Sequence, residues 1–238
     1  MITPLVSIIM PTSNRWMYIE DAIKSVLDQT YENWELLILD DSDTDSTSLI
    51  IDKFAGEKRI RYIRNGKKLG IAKSRNILLN LARGNFIGHL DDDDILRKDA
   101  IESIIFEFLN NIELALVYSD FVMIDEFGNK IGENVGIDFD RSKLAFLGFR
   151  HFTIYKRNVA ISVGEFNDVY CEDGDLFMRI AKDFQCKRVP EFLYYYRSHR
   201  TNFGHSRPKC EICDKKTSCN YFKIWEEESK KFLELNKN

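Results

Sequence analysis

The sequence predicts an α/β fold with a mostly parallel central sheet flanked by helices. The first half of the chain alternates short apolar runs with amphipathic segments, which is the pattern of strand–helix–strand units. The apolar runs are nearly continuous, as expected of strands that are covered on both faces. Several of them end in aspartates, and ligands bind such sheets at the carboxyl ends of the strands.

The composition of the 238-residue chain limits its class of function. A hydrophobic fraction of 44% is enough for a full core, and no run is long and apolar enough to span a bilayer. The net charge of -4 gives no general attraction to nucleic acid, so we expect no nucleic-acid partner. The first residues lack the pattern of a signal peptide, so we expect a cytoplasmic protein with reduced cysteines, at most peripherally attached to the inner face of a membrane.

The periodicity of apolar residues gives the order of the elements. Strands are predicted at residues 5–10, 34–39, 60–64, 85–90, 114–117, 152–155 and 192–196. Helices are predicted at about 18–27, 47–54, 71–82 and 100–109, and a further helix, which carries apolar residues of 176–184 on one face, is predicted after residues 172–175. A Gly-Asn turn at 128–129 predicts a hairpin within residues 121–131.

Four consecutive aspartates, Asp91 to Asp94, follow the fourth predicted strand and precede a helix. The acids therefore lie in a loop at the ligand-binding edge of the sheet. Asp91 and Asp93 have the spacing Asp-x-Asp, so both carboxylates can turn toward one hard divalent cation, which favours Mg²⁺ or Mn²⁺. The alternative is a solvated acidic loop that caps the next helix through Asp94.

Polar residues also follow the first two predicted strands. Residues 11–15, Pro-Thr-Ser-Asn-Arg, form either a ligand loop or a plain turn, and Pro11 is expected to end the strand. Among the acids at 40–46, a helix cap accounts for Asp43 or Asp45, which leaves residues 40 and 41 nearer the strand tip.

Charged residues stand at the starts of two later helices. Lys73 and Arg75 oppose the dipole of their helix, which favours contact with an anion. Glu172 and Asp173 begin another helix, where capping accounts for one acid and the dipole also holds a carboxylate ionised, as a general base requires. His199, after the last predicted strand, is either a ligand or a surface histidine.

Seven short motifs occur in a particular order along the chain. They are Ser-Ile-Ile-Met-Pro-Thr at 7–12, Gln-Thr-Tyr at 29–31, Leu-Asp-Asp-Ser at 39–42, Gly-x-x-x-x-Arg-Asn at 70–76, Leu-Asp-Asp-Asp-Asp at 90–94, Glu-Asp at 172–173 and Arg-x-His at 197–199. Together they resemble the family 2 inverting glycosyltransferases of the GT-A fold, over about residues 5–203. The resemblance implies metal-dependent transfer of a sugar from a nucleotide-sugar donor, with UDP expected, to a glycan, lipid-linked or protein hydroxyl in surface polysaccharide or glycoconjugate synthesis.

The resemblance also implies roles for individual residues. The nucleotide would be held by Pro11, Thr12, Asn14, Arg15, Asp41, Arg75, Asp91 and Asp92, with Asp41 accepting a hydrogen bond from the base and Arg75 near the pyrophosphate. The divalent cation, Mn²⁺ or Mg²⁺, would be held by Asp91, Asp93 and His199. Asp173 would be the catalytic base, and Glu172 would support placement of the acceptor.

The sequence departs from the family pattern at two places. Ser13 stands where the family often has Tyr or Phe, so stacking of that residue on the base is not expected. Asp41-Ser42-Asp43 replaces the commoner Asp-Gly-Ser or Asp-Ser-Ser, which leaves the geometry of that loop open.

Two other functions are considered as alternatives to glycosyl transfer. A sugar-phosphate nucleotidyltransferase shares the architecture, but it would have a Gly-rich loop after the first strand, and residues 11–15 contain no glycine. Loss of the acidic residues would favour a catalytically silent module that recruits a partner through its tail. All of these acidic residues are present.

The composition changes near His205, so we divide the chain into a domain at 1–204 and a Cys-rich, helical extension at 205–238. Cys210, Cys213 and Cys219 lie in a lysine-rich loop that precedes an amphipathic segment at 221–235. Cys210 and Cys213 have a chelate spacing, and with Cys219 and either His205 or a distant cysteine they could close a tetrahedral Zn²⁺ site. Free thiols and a disulfide are the alternatives.

Overall fold

The computed structural model describes residues 3–141, 151–169 and 171–199, and in these residues nine strands form one sheet. The elements in chain order are β1 (Val6–Thr12), α1 (Ile19–Leu27), β2 (Trp34–Asp40), α2 (Ser46–Ile51), a 3₁₀ turn (Asp52–Phe54), β3 (Ile60–Arg64), α3 (Ile71–Leu81), β4 (Phe86–His89), β5 (Ile95–Leu96), α4 (Ala100–Asn110), β6 (Leu114–Ile124), β7 (Lys130–Asn134), β8 (Thr153–Lys156), α5 (Arg157–Ser162), α6 (Glu172–Asp183) and β9 (Gln185–Arg197). The α/β class predicted from the sequence is confirmed.

The sheet is parallel on one side and mixed on the other. Its strand order is β3-β2-β1-β4-β8-β6-β9-β5, with β7 paired to β6. Strands β3, β2, β1 and β4 are mutually parallel, as the alternation of strands and helices predicts. Strand β8 lies antiparallel between β4 and β6, whereas β9 runs parallel to β6.

Side chains of the central strands pack alternately into two hydrophobic layers. In β1, Ile8 belongs to the layer that contains α1 and α4, and Ile9 belongs to the layer that contains α3 and α6. In β2, Leu36 and Leu37 divide in the same way. The apolar runs are continuous because both faces of these strands are covered by helices.

Pro11 does not end β1, and that expectation was wrong. The strand continues to Thr12, and Pro11 pairs in register with Leu39 of β2. The carbonyl of Ile9 accepts a hydrogen bond from Leu90 on the β4 side, and that of Thr12 accepts one from Asp41 on the β2 side. This alternation turns Pro11 toward β4, whose ladder with β1 has already ended, so the missing N–H costs no hydrogen bond.

Strands β6 and β9 are longer than the sequence predicts. The predicted strand at 114–117 and the first arm of the predicted hairpin form one strand, β6, which pairs with β9 over most of its length. The register of β9 shifts between Val189 and Phe192, where Pro190 lacks the N–H that a regular ladder needs. The predicted hairpin is confirmed as β6–β7, with Gly128 at a φ of 90° in its turn.

The Gln-Thr-Tyr motif at 29–31 holds α1 against the segment before α4. The side chain of Gln29 donates to the carbonyl of Arg97 at 2.8 Å and accepts from the N–H of Ile101 at 3.1 Å. Thr30 donates through its hydroxyl to Glu102 at 2.7 Å. The motif is therefore structural in this chain. Among the described helices none has the length and apolarity needed to cross a membrane.

Candidate active site

The loops that follow β1, β2 and β4 meet at one edge of the sheet. The N–H of Asp41 donates to the carbonyl of Thr12 at 2.9 Å, and that of Leu90 donates to Ile9 at 3.2 Å. Parallel strands place their carboxyl ends on the same side, so the polar residues after all three strands are brought together. Thr12 is buried and Pro11 is half-buried at this edge.

Asp41 organises the loop that precedes α3. Its carboxylate accepts hydrogen bonds from the N–H of Leu69 at 2.8 Å, the N–H of Gly70 at 2.9 Å and the side-chain amide of Asn65 at 3.0 Å. Gly70 has a φ of 87° and is the N-cap of α3, a backbone conformation that favours glycine. The residue expected to contact the base thus also fixes the loop at 65–70.

The loops after β1 and β2 are tied together through Asn14. This residue has a φ of 58°, and its N–H donates to the hydroxyl of Ser42 at 2.7 Å. Its side-chain oxygen accepts from the N–H of Asp43 at 3.3 Å. The cap expected for α2 is absent, because neither Asp43 nor Asp45 makes a side-chain cap bond, and Asp45 pairs with Arg64 instead.

Asp93 lies between two basic side chains. The guanidinium of Arg15 is 2.6 Å from Asp93 Oδ2 and 3.3 Å from Asp92 Oδ1. His199 Nε2 is 3.0 Å from the same Asp93 oxygen, and the His199 ring stacks on Tyr18 at 4.6 Å between centroids. The prediction that Asp93 and His199 share a site therefore agrees with their positions.

Asp94 does not cap α4, so that alternative was wrong. The Asp94 carboxylate is buried and accepts from the hydroxyl of Tyr194 and from the N–H of Arg197, both at 2.7 Å. Burial and the neighbouring Asp93 raise the pKa of Asp94 well above its usual value. Strand β9 therefore holds the loop of four aspartates at 91–94, here called the acid loop. Short-range sequence patterns do not reveal this arrangement.

Asp91 turns away from Asp93 and contacts Arg75. The buried guanidinium of Arg75 is 3.0 Å from Asp91, 2.8 Å from Glu172 and 3.9 Å from Asp173. Burial alone would lower the pKa of Arg75, but these three carboxylates raise it above its ordinary value. Arg75 was expected to contact an anion. In this structure the anions that it contacts are carboxylates of the same chain.

Glu172 and Asp173 differ in their access to solvent. The side chain of Glu172 is 6% exposed, and burial raises its pKa while Arg75 opposes that rise. The side chain of Asp173 is 29% exposed and accepts from the N–H of Gly174 at 2.7 Å. Cys171 is the N-cap of α6 and makes no side-chain cap bond. Of the two carboxylates, that of Asp173 is therefore the more accessible to solvent.

The residues expected to hold a divalent cation are only partly gathered. Among the described residues, no three carboxylate, imidazole or thiol side chains converge as a metal-binding group. The chemistry nevertheless fits a cation, because the Asp93 carboxylate and the His199 imidazole, which lie 3.0 Å apart, are both ligands of divalent metals. Burial and Asp93 raise the pKa of Asp92 to about 7, which reflects the crowding of carboxylates at this place.

The residues of the proposed zinc site, His205, Cys210, Cys213 and Cys219, lie outside the described residues, as does the segment at 221–235. The described residues include two cysteines, Cys171 and Cys186. Cys171 is half-buried beside the Glu172-Asp173 pair, and burial raises the pKa of Cys186 to about 12.

The sequence interpretation missed three residues near this edge. Tyr194 binds Asp94, as described above, and Tyr62 donates to the buried carboxylate of Asp40 at 2.6 Å. His89 lies 2.8 Å from the hydroxyl of Tyr155, also in the interior. Each stands in a predicted strand, and the only available signal was a polar or aromatic side chain in an otherwise apolar run.

Comparisons with known proteins decide the family. Residues 7–164 match the family Glycosyl transferase family 2. The chain belongs to this family. Family 2 relatives include chondroitin synthase of Escherichia coli, 34% identical over 205 residues, which cover 84% of this chain and 30% of that protein. Another is UDP-Glc:alpha-D-GlcNAc-diphosphoundecaprenol beta-1,3-glucosyltransferase WfgD of Escherichia coli, 35% identical over 75% of this chain and 70% of that protein.

Solved structures agree with the family 2 assignment at the level of the fold. The structure of S. aureus TarS 1-349 in complex with UDP-GlcNAc has a TM-score of 0.69 at 18% identity and covers 85% of this chain and 61% of that chain. The mannosyltransferase PcManGT of Pyrobaculum calidifontis, in complex with GDP-Man and Mn²⁺, has a TM-score of 0.65 at 18% identity, over 85% of this chain and 59% of that chain. The predicted GT-A fold is confirmed. This chain spans less than a third of the length of chondroitin synthase.

Proposed function

We propose that this family 2 chain is a metal-dependent, inverting glycosyltransferase that moves a sugar from a nucleoside diphosphate sugar to a hydroxyl group. The observation that carries the proposal is the bridge made by Arg75. Its guanidinium contacts Asp91, in the acid loop after β4, and Glu172, at the start of α6. One buried cation therefore links the acids expected at the donor to the acids expected at the acceptor.

The donor would lie over the loops after β1, β2 and β4. The contacts of Asp41 and Asn14 fix these loops to one another, which gives a nucleotide a preformed surface. A UDP-sugar is favoured, because the name of WfgD specifies UDP-Glc and the TarS structure holds UDP-GlcNAc. A GDP-sugar is the alternative that the PcManGT complex keeps in consideration.

A divalent cation would be held by Asp93 and His199, with Asp91 as the further ligand implied by the Asp-x-Asp spacing. When bound, it supplies positive charge that stabilises the leaving diphosphate. The presence of Mn²⁺ in the PcManGT complex supports this proposal.

Asp173 is the proposed base. It takes the proton from the acceptor hydroxyl while that oxygen bonds to the anomeric carbon and the bond from this carbon to the diphosphate oxygen breaks. A single displacement of this kind inverts the configuration and requires one carboxylate. The exposure of Asp173 and the enclosure of Glu172 by Arg75 support this division of roles.

The proposed class of acceptor is based on the names of the relatives. Their names refer to chondroitin and to a lipid-linked GlcNAc, which supports a role in the synthesis of a surface polysaccharide or glycoconjugate. A glycan, a lipid-linked sugar or a protein hydroxyl is then the acceptor. Such a role is compatible with a cytoplasmic enzyme at the inner face of a membrane.

A thermal-shift titration followed by product analysis tests the proposal. The unfolding temperature is measured with UDP, GDP and their sugars, each with Mn²⁺ and with chelator, since a ligand that binds only the folded state raises it. We expect a UDP-sugar to stabilise the protein only with Mn²⁺. Transfer to an acceptor is then followed by NMR, and a product with the donor's anomeric configuration would contradict inversion. Formation of a nucleotide sugar from a sugar phosphate would instead support the nucleotidyltransferase alternative.

A further inference from the structure

Arg15 occupies the place where positive charge is needed in the acid loop. Its guanidinium is 2.6 Å from Asp93 Oδ2 and bridges to Asp92 at 3.3 Å. Asp92 and Asp93 are both nearly inaccessible to solvent, so water solvates their carboxylates poorly. A guanidinium at this distance forms a strong, charge-assisted hydrogen bond. Arg15 is thus the counter-ion of these two buried acids.

The Asp93 oxygen that Arg15 contacts also contacts His199. Both basic groups approach Oδ2, at 2.6 Å and 3.0 Å. A carboxylate oxygen that already accepts from a guanidinium and contacts an imidazole has little capacity for a further partner. A divalent cation that binds Asp93 must therefore compete with Arg15.

The position of Arg15 in the fold allows it to leave. It lies in the connection between β1 and α1, and its side chain is 21% exposed, whereas Asp92 and Asp93 are fixed at the end of β4. The next two residues, Trp16 and Met17, are about half exposed, so the segment directly after Arg15 lies at the surface. Rotation of the Arg15 side chain toward solvent therefore needs no change in the packing of the sheet.

We propose that Arg15 is a built-in counter-ion of the acid loop that is displaced from Asp93 when the divalent cation binds. The inference rests on the metal dependence in the proposed function. It assigns Arg15 a role toward the acids, beyond the nucleotide contact that the family resemblance implies. The affinity for the free cation is then set partly by the energy needed to remove Arg15.

The test measures Mn²⁺ binding directly, without sugar transfer. Free Mn²⁺ is titrated by electron paramagnetic resonance into the full chain carrying Arg15→Gln, Arg15→Met or Arg15→Lys. We expect the two neutral variants to bind Mn²⁺ at least about tenfold more tightly than the wild type, since the competitor is gone. Arg15→Lys keeps the charge and should stay within about threefold of the wild type. Arg59→Gln is the matched control, because Arg59 pairs with Glu57 at the opposite end of the sheet.

Thermal unfolding provides a second measurement. In chelator, the neutral variants should unfold at a lower temperature than the wild type, and added Mn²⁺ should raise their unfolding temperature by more than it raises that of the wild type. Equal or weaker Mn²⁺ binding by both neutral variants would overturn the role of Arg15 alone. If no variant binds Mn²⁺, even with UDP present, the proposed metal dependence fails together with the inference.

Discussion

Arg75 and Glu172 form a buried ion pair that joins the second turn of α3 to the first residue of α6. The guanidinium nitrogen and the Glu172 oxygen are 2.8 Å apart, and both side chains are at least 94% removed from solvent. The partners are 97 residues apart in the sequence, so the pair also fixes the position of α6 relative to α3. Whether it stabilises the fold depends on both partners being present.

We therefore expect Arg75→Met to destabilise the protein by about 3–5 kcal/mol, because it leaves Glu172 buried without a counter-ion. The double variant Arg75→Met with Glu172→Gln should recover most of that loss, since the remaining group is neutral. Urea denaturation of both variants gives the two free energies of unfolding. Lys130→Met, which breaks an exposed pair with Glu133, should cost about 1 kcal/mol or less and is the control. No recovery in the double variant would mean that Arg75 acts through packing and not through its charge.

The elements that the sequence predicts well are those with a local cause. The apolar runs of the strands and the glycine at the hairpin turn each depend on neighbouring residues. The contact of Asp94 with Tyr194 could not be predicted in this way, because it joins residues 100 positions apart. The capping interpretation of Asp94 failed because this long-range contact holds the carboxylate away from α4.

The same reason accounts for what the sequence left open at the candidate site. A cation in the first turns of α3 indicated an anionic partner for Arg75, but no local pattern identified Glu172 as that partner. Likewise, residues 11–15 predicted a ligand loop or a plain turn, and the pairing of Arg15 with Asp93 depends on how β1 and β4 lie side by side.

A second prediction concerns the cation. Asp93→Ala should abolish Mn²⁺-dependent binding of UDP and reduce transfer to background, because Asp93 is the proposed ligand that His199 also contacts. Asp99→Ala, in the segment before α4, is the control, because its carboxylate pairs with Arg97 outside the site. Calorimetric titration of UDP with and without Mn²⁺ checks the outcome. Full turnover by Asp93→Ala with Mn²⁺ would remove Asp93 from the site.

A third prediction concerns Asp41 and the loop at 65–70. In Asp41→Asn, an amide would face the N–H groups of Leu69 and Gly70, so two donors would oppose each other. We expect a loss of about 1–3 kcal/mol in the free energy of unfolding and at least about tenfold weaker UDP binding. Asp52→Asn, on the exposed 3₁₀ turn, should change neither quantity. Unchanged stability with weaker binding would indicate that Asp41 serves the base alone.

A fourth prediction concerns the extension at 205–238. If Cys210, Cys213 and Cys219 bind zinc, the purified protein should contain about one equivalent of Zn²⁺, which Cys213→Ser should remove. Elemental analysis measures the metal, and Cys186→Ser, which changes a buried thiol in β9, is the control. Absence of zinc from protein purified without chelators would favour the free-thiol interpretation.

The last prediction separates chemistry from binding at the start of α6. Asp173→Asn should lower kcat by about 10²-fold to 10⁴-fold while leaving the affinity for UDP nearly unchanged, because a general base acts mainly in the transition state. Glu172→Gln should lower kcat less, since its carboxylate is enclosed, contacts Arg75 and has only a supporting role in acceptor placement. Asp183→Asn, exposed at the other end of α6, is the matched control. Donor affinity is measured by titration, and the transfer rate is measured with excess acceptor.

A larger effect at Glu172 than at Asp173 would assign the base to Glu172, and small, equal effects at both would mean that the pair only fixes the helix. A parallel loss of donor affinity and rate in Asp173→Asn would contradict a purely catalytic role, because the carboxylate would then contribute to the ground state as well.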